Sequence, residues 1–303
     1  MPLHPLVQAN WDRVQASGFR GYAGMPVAQA RTHFSSVSRV FGPGPDMAEV
    51  RELTIPVAGA GGTIAARLYR PTAEPRGLCV YLHGGGFVLG ALDDFDTFCR
   101  TLAQRSGCAL LSVDYRLAPE HPFPTPLNDT LAAIRWAQSL PEAAQGLAVA
   151  GDSAGANLVT VAALALRGEL ALHLQVLFNP CTDIPGQTAS YAAYGEDYLL
   201  KTADIHWFMQ HYAPGHDWAD PAIAPLRNPD LRGAPPAWIG LAEFDVLHDE
   251  GVAYAQALQA AGTPVDLRRY DGVMHGFARG HGAIDTADRA VTEAAQALRA
   301  AFS

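Results

Sequence analysis

From about residue 50 onward, short runs of apolar and β-branched residues alternate with longer stretches whose apolar positions recur at helical spacing. That alternation predicts an α/β protein with a mostly parallel eight-stranded sheet and crossover helices on both faces. The strand-like runs are RELTIPV at 51–57, TIAARLY at 63–69, LCVYL at 78–82, ALLSVDY at 109–115, LAVAG at 147–151, LQVLFNP at 174–180, AWIGLAE at 237–243 and VDLRRYD at 265–271. Only the first two are joined by a link short enough for a hairpin, the glycine-rich AGAGG at 58–62, so the sheet is expected to begin antiparallel. Helices fit the intervals at 94–106, 126–139, 154–167, 249–261 and 283–301, the second and fourth opening with proline or acidic residues suited to a first turn.

Two stretches interrupt the rhythm. Residues 1–45 read as amphipathic helices, and residues 184–229 are rich in Pro, Gly, Trp, Tyr and His. An insertion of that length between core strands is too long for plain loop. The insertion is read as helical cap material over the carboxyl edge of the sheet, where open α/β folds bind ligands. The expected division is N-terminal helices at 1–45, which the family resemblance given below assigns to the cap, the first part of the core at 46–183, a cap insertion at 184–229 and the rest of the core at 230–303.

Composition removes several function classes. Of the 303 residues, 49% are hydrophobic and 17% charged, below the usual charged share of about 25%, so a large core is available. The formal net charge of −9, without any basic run, argues against nucleic acid or an anionic membrane surface as a partner. The longest strongly apolar run, LVTVAALAL at 158–166, is far short of the roughly 18–20 residues a membrane helix needs. The segment MPLHPLVQANWDRVQ has no charged region followed by an apolar stretch, so the expected location is the cytoplasm, with no stable membrane association. Lys201 is the only lysine, preceded by Leu200 and, three residues back, by Tyr198, which excludes a P-loop and a Ser-x-x-Lys site. Its surroundings read as the start of a helix rather than a Schiff-base site. Cys79, Cys99, Cys108 and Cys181 form no C-x-x-C pair and read as buried thiols. His206, His211 and His216 recur every five residues, not at the i, i+4 spacing that turns two ligands inward, so no metal site is expected.

The sharpest chemical signal is GDSAG at 151–155, between the strand LAVAG and the helical segment ANLVTVAALALRG. A strand–turn–helix with Gly-x-Ser-x-Gly is the nucleophile elbow, which projects the hydroxyl of Ser153 from a strained backbone. A plain helix-capping serine would look the same as a pentapeptide; the flanking elements favour the elbow. Such a serine needs a base, and the base needs a carboxylate to orient it. Asp245 stands just past the strand at 237–243, and His275 just past the strand at 265–271, in the acid-then-histidine order. Asp249 competes with Asp245 but reads better as a helix cap together with Glu250, and His281 reads as a surface residue. After the strand at 78–82 comes HGGGF at 83–87. Its backbone N–H groups, from Gly85 and Gly86 with Gly84 next, join that of Ala154 as a candidate oxyanion hole, with glycine expected so that a substrate oxygen can approach closely.

These pieces, with DYRLAPEHPFP at 114–124, GDSAGANL at 151–158, AEFDVLHDEG at 242–251 and MHGF at 274–277, occur in one order along the chain. In that set the chain resembles the bacterial hormone-sensitive-lipase-like carboxylesterases of the α/β-hydrolase superfamily. The resemblance implies Ser153, Asp245 and His275 as a triad, an oxyanion hole of Gly84, Gly85, Gly86 and Ala154, no cofactor, and small esters of short to medium acyl chain as substrates. Asp114, Tyr115 and Arg116 are expected to bond around the oxyanion loop. The cap aromatics Tyr191, Tyr194, Tyr198, Trp207, Phe208, Tyr212 and Trp218 could line a substrate pocket, though their spacing suits core packing better. Family analogy allows a homodimer through the last sheet edge. Two other readings stay open: an amidase, formamidase or peptidase with the same triad, and a ligand-binding receptor on the same fold, which the presence of His275 disfavours.

Overall fold

The computed structural model describes residues 2–38, 42–57, 62–184 and 186–303. Eight strands form one sheet: β1 (Glu49–Pro56), β2 (Thr63–Arg70), β3 (Leu78–Leu82), β4 (Ala109–Val113), β5 (Leu147–Asp152), β6 (Leu172–Phe178), β7 (Ala237–Phe244) and β8 (Val265–Met274), in the order β1-β2-β4-β3-β5-β6-β7-β8. β2 runs antiparallel to both of its neighbours, and every other pairing is parallel. The expected antiparallel start is therefore observed, Pro56 lying opposite Thr63, while residues 58–61 of the glycine-rich link lie outside the described residues.

The central strands have no solvent face. All five residues of β3 and of β4, and all six of β5, are buried, which is why they read as unbroken apolar runs rather than alternating ones. One face is covered by α4 (Thr125–Ala137), α5 (Ala154–Ala165) and α8 (His248–Ala260), the other by α3 (Asp96–Ser106) and α9 (Asp285–Ala301). Predicted and observed boundaries differ mainly where strands end. β4 stops at Val113, so Asp114 and Tyr115 leave the sheet, and β8 runs on to Met274, so that His275 is the first residue beyond it.

The two irregular stretches carry α1 (Pro5–Ala16) and α2 (Val27–Ser38), then α6 (Ala189–Tyr194) and α7 (Thr202–Tyr212). α1 docks beside β8, where the N–H of His4 donates to Gly272 O at 2.8 Å. α2 and α7 instead meet the loops at the carboxyl ends of the strands. Arg31 of α2 donates to Val88 O and Ala118 O, both at 2.9 Å. Tyr212 O, at the end of α7, accepts from the N–H of Phe123 at 2.7 Å. The two segments are tied together by Asp204, 1% exposed, whose Oδ1 accepts the backbone N–H groups of Tyr22 and Ala23 at 2.6 and 2.9 Å. Asp204 also accepts from the N–H of Lys201, which stands at the start of α7 as its sequence context suggested.

Candidate active site

β5 passes directly into α5 through Gly151–Gly155. At the turn Ser153 has φ 55° and ψ −117°, a conformation that costs an L-residue of order 1–3 kcal/mol and is held by its surroundings. Its N–H donates to Phe178 O at 2.9 Å, and its own carbonyl accepts from Asn157 at 3.0 Å. Gly155 is required by close approach rather than by torsion: a Cβ there would collide with the carbonyls of Leu82 and His83, so α5 starts hard against the end of β3.

Asp245 and His275 leave the ends of the adjacent parallel strands β7 and β8. His275 Nε2 is 2.9 Å from Ser153 Oγ, and His275 Nδ1 is 2.7 Å from Asp245 Oδ2. Asp245 is 2% exposed, and its Oδ1 accepts the N–H of Leu247 at 3.0 Å, so the turn itself orients the carboxylate. With the serine hydroxyl donating to Nε2, Nδ1–H donates to Asp245. Burial works against a charged imidazole, but the charge and hydrogen bond of Asp245, with Asp152 adding to them, outweigh it and raise the His275 pKa above the usual histidine value.

The loop after β3 is built on buried partners. The ring of His83, kept neutral by burial with its pKa down at about 4, donates from Nδ1 to Gly84 O at 2.7 Å. The Tyr115 hydroxyl donates to His83 O at 2.9 Å, and the two rings stack with centroids 4.5 Å apart. Gly85 O accepts from both Val88 and Leu89. The fold itself forbids side chains at two of these glycines. Gly85 and Gly86 have φ +120° and +61°, and a Cβ would strike Leu89 O at the first and the Phe208 ring at the second. Gly84 faces the elbow, its absent Cβ lying 2.9 Å from Asp152 Oδ2 and 3.3 Å from Ser153 Cβ. Among the described residues no protein acceptor takes the N–H of Gly85, Gly86 or Ala154.

Several expectations need correcting. Arg116 does not reach the oxyanion loop; it forms a forked pair with buried Asp129 at 2.6 and 2.9 Å. Asp249 and Glu250 do not cap their own helix. Asp249 Oδ2 accepts from the N–H of Ser190 in α6, and Glu250 Oε1 accepts from Thr182 and Asp183. His281 is half-buried, bonded to Thr101 Oγ1 at 2.9 Å, rather than a surface residue. His206, His211 and His216 disperse onto the rings of Trp218, Trp207 and Phe123, and among the described residues no group of three or more His, Cys, Asp or Glu is placed to hold a metal. The cap aromatics divide: Phe208 lies on Gly86 and Tyr212 stacks on Phe87 at 3.8 Å, whereas Tyr194 and Tyr198 pack on Phe244. Missed altogether were Asp204 as the tie between the cap segments and Phe208 as a partner of the glycine loop. Only an acidic residue in a helix's first turn hinted at the former, and nothing local at the latter.

Comparison with known proteins places this geometry. Residues 79–279 match the family described as having the α/β-hydrolase fold. The chain is 43% identical over 251 residues to the ethyl acetate hydrolase of Pseudomonas putida, covering 79% of each chain. It is 40% identical over 293 residues to a carboxylic ester hydrolase of Mycobacterium tuberculosis, covering 91% of this chain and 77% of that one. Among solved structures, a hyperthermophilic esterase of the archaeon Pyrobaculum calidifontis superposes with a TM-score of 0.93 at 36% identity over 100% of both chains. An ester-hydrolase from the metagenome of Lake Arreo, complexed with a derivative of bipyridine phosphonate, gives 0.92 at 38% identity over 99% of both. A motif order that runs the length of the core, a sheet with β2 reversed and an elbow after β5 thus converge with these matches: the chain belongs to the α/β-hydrolase fold family, among bacterial and archaeal esterases.

Proposed function

We propose that this protein is a serine carboxylesterase that cleaves small, short- to medium-chain carboxylic esters in two steps through an acyl-enzyme. One observation carries the reading: the unbroken run Ser153 Oγ, His275 Nε2, His275 Nδ1, Asp245 Oδ2, with links of 2.9 and 2.7 Å, at the exit of a strained elbow. Carboxylic ester hydrolysis is also what the names of its relatives share.

In the first step His275 takes the proton of Ser153 as Oγ attacks the ester carbonyl, and Asp245 stabilises the imidazolium that forms. The developing oxyanion accepts from the N–H groups of Gly85, Gly86 and Ala154, with Gly84 shaping the loop against Asp152; each such donor is typically worth about 3–4 kcal/mol in the transition state. His275 returns its proton to the departing alkoxide. Water, deprotonated by the same histidine, then releases the acid. α2, α6 and α7 act as a cap over the site, and Phe208, lying against Gly86, bounds the space beside the oxyanion. No step calls on a metal or an organic cofactor.

The test is hydrolysis of p-nitrophenyl esters of increasing acyl length by wild type and Ser153→Ala, with folding of both followed by circular dichroism. Wild-type turnover that falls by roughly 10⁵-fold or more in a folded variant is expected. Equal rates for the two proteins would refute the assignment.

A further inference from the structure

Two arginines fasten the cover helix α2 to the site, one toward each end. Arg31 lies in its first half, where Nε donates to Val88 O and Nη2 to Ala118 O. The N–H of Val88 in turn reaches back to Gly85 O at 3.1 Å, so this part of α2 rests on the glycine loop. At the other end the fastening comes from the core. Arg279 lies in the single turn Phe277–Gly280, four residues past His275. Its Nη2 donates to the hydroxyl of Ser38, the last residue of α2, at 2.5 Å and to Asp94 O at 3.1 Å. Asp94, 8% exposed, closes the arrangement, its Oδ2 accepting from Ser35 Oγ of α2 at 3.0 Å. The Arg279 guanidinium also lies over two rings, 5.0 Å from the centroid of Phe34 on α2 and 4.6 Å from that of Phe95. Phe95 stacks on His83, 5.2 Å away, whose ring supports Gly84. A planar group suits such a seat, because its face stacks on the rings while its edge donates in two directions.

Arg31 and Ser38 are separated by about 10 Å of helix at 1.5 Å per residue. That length of α2 bridges from the glycine loop to the histidine turn, the two sides between which an ester carbonyl has to sit if it is to meet both the oxyanion donors and the triad. We propose that Arg279 is a positioning residue for the reaction of the preceding section: by pinning the carboxyl end of α2 to the histidine turn, it sets the height of the cover over the site and so how tightly an ester is held. The inference rests on the esterase reading of the triad. Because Arg279 acts through α2, its loss should tell on the binding of substrate rather than on the chemical step. A merely structural role would do the opposite, since partial unfolding removes active enzyme and lowers kcat at an unchanged KM.

Two measurements on the full chain test this. The first is steady-state hydrolysis of p-nitrophenyl butyrate by wild type, Arg279→Met, Ser38→Ala and the double variant R279M/S38A, with folding of each followed by circular dichroism. Arg279→Met keeps an extended side chain and loses every donor; KM is expected to rise by about 5–10-fold with kcat within about 2-fold of wild type. Ser38→Ala, which removes one acceptor on α2, should raise KM by about 2–3-fold, and the double variant should go no further than Arg279→Met alone. The second is hydrogen–deuterium exchange of the backbone amides, which needs no turnover. In Arg279→Met the second half of α2 should exchange faster by about 10-fold while β5 and α9 keep their wild-type rates. If wild type fails to hydrolyse the ester, the esterase reading falls, while exchange in α2 still decides whether Arg279 pins the cover. In a folded Arg279→Met, an unmoved KM or unmoved exchange in α2 would overturn the proposal; a fall in kcat at unchanged KM would leave Arg279 a support of the histidine turn alone. Should Arg279→Met fail to fold, Ser38→Ala carries both readouts from the other side of the bond.

Discussion

The site has a sheet side and a cover side, and the two are held by different means. On the sheet side each residue of the proposed triad follows the carboxyl end of a strand, and backbone contacts fix the site: Ser153 through Phe178 O, Asp245 through the N–H of Leu247, and the glycine loop through Gly85 O. On the cover side the helices come from distant parts of the chain and are joined by a few long-range side-chain bonds, chiefly Asp204 to Tyr22 and Ala23 and Arg31 to Val88 and Ala118. The first arrangement follows from β-sheet register and tight turns. The second depends on single polar side chains, each of which one substitution can remove. Chemistry should therefore fail through changes on the sheet side, and substrate range and local stability through changes on the cover.

The comparison is broken most severely at Asp245. Asp245→Asn should leave a folded protein with kcat reduced by about 10⁴-fold, because the amide no longer holds the imidazole in the productive tautomer. Asp249→Asn, whose carboxylate accepts from the N–H of Ser190, should stay within a few-fold of wild type; the reverse ranking in steady-state kinetics would transfer the acid role. Next comes Gly86→Ala. Its φ of +61° and the Phe208 ring oppose a methyl group, so the donor is displaced and kcat drops by about 10²–10³-fold, with binding of substrate less affected. A kcat unchanged in that variant would remove Gly86 from the oxyanion hole.

Asp204→Ala sharpens the contrast from the cover side. The backbone N–H groups of Tyr22, Ala23 and Lys201 lose their acceptor, for a cost of about 2–4 kcal/mol in urea unfolding, and KM should rise more than kcat falls. Equal losses in the two would mean that the cover takes part in the chemistry. The smallest effect is expected at Glu250, which bridges the regions by accepting from Thr182 and Asp183 and from the Tyr191 hydroxyl. Burial raises its pKa from 4.5 to about 8, with Asp183 and Asp245 adding to the rise. The folded state therefore holds this proton more tightly than the unfolded chain, and stability declines as pH climbs from about 4.5 toward 8. Glu250→Gln should flatten that part of the melting-temperature profile; a slope identical to wild type would mean the carboxyl is ionised throughout.

What the sequence disclosed follows the same division. The elbow, the strand ends before Asp245 and His275, and the glycine loop are local: a run of apolar residues, a turn, a helix start. Their order alone places the residues at neighbouring strand ends. The β2 reversal was legible from a five-residue link, although the position of β4 between β2 and β3 was not. The partners of Arg116, Glu250 and Asp204 lie 13, 67–68 and 181–182 residues away, and no local pattern encodes which backbone group a carboxylate will meet. Asp249 and Glu250 illustrate the failure, since their first-turn position satisfied the capping rule while their carboxylates accept from distant backbone, Asp249 from Ser190 in the insertion and buried Glu250 from Thr182 and Asp183 just before it.

The tie at Asp204 has a consequence for recombination between relatives. The cover is one unit in space but two in the chain, its halves near residues 22 and 204 lying on either side of the glycine loop and the elbow. A chimera made with a single crossover would pair the Tyr22 turn of one parent with the Asp204 of another. Moving a whole cover requires an exchange at both segments with the intervening strands left in place.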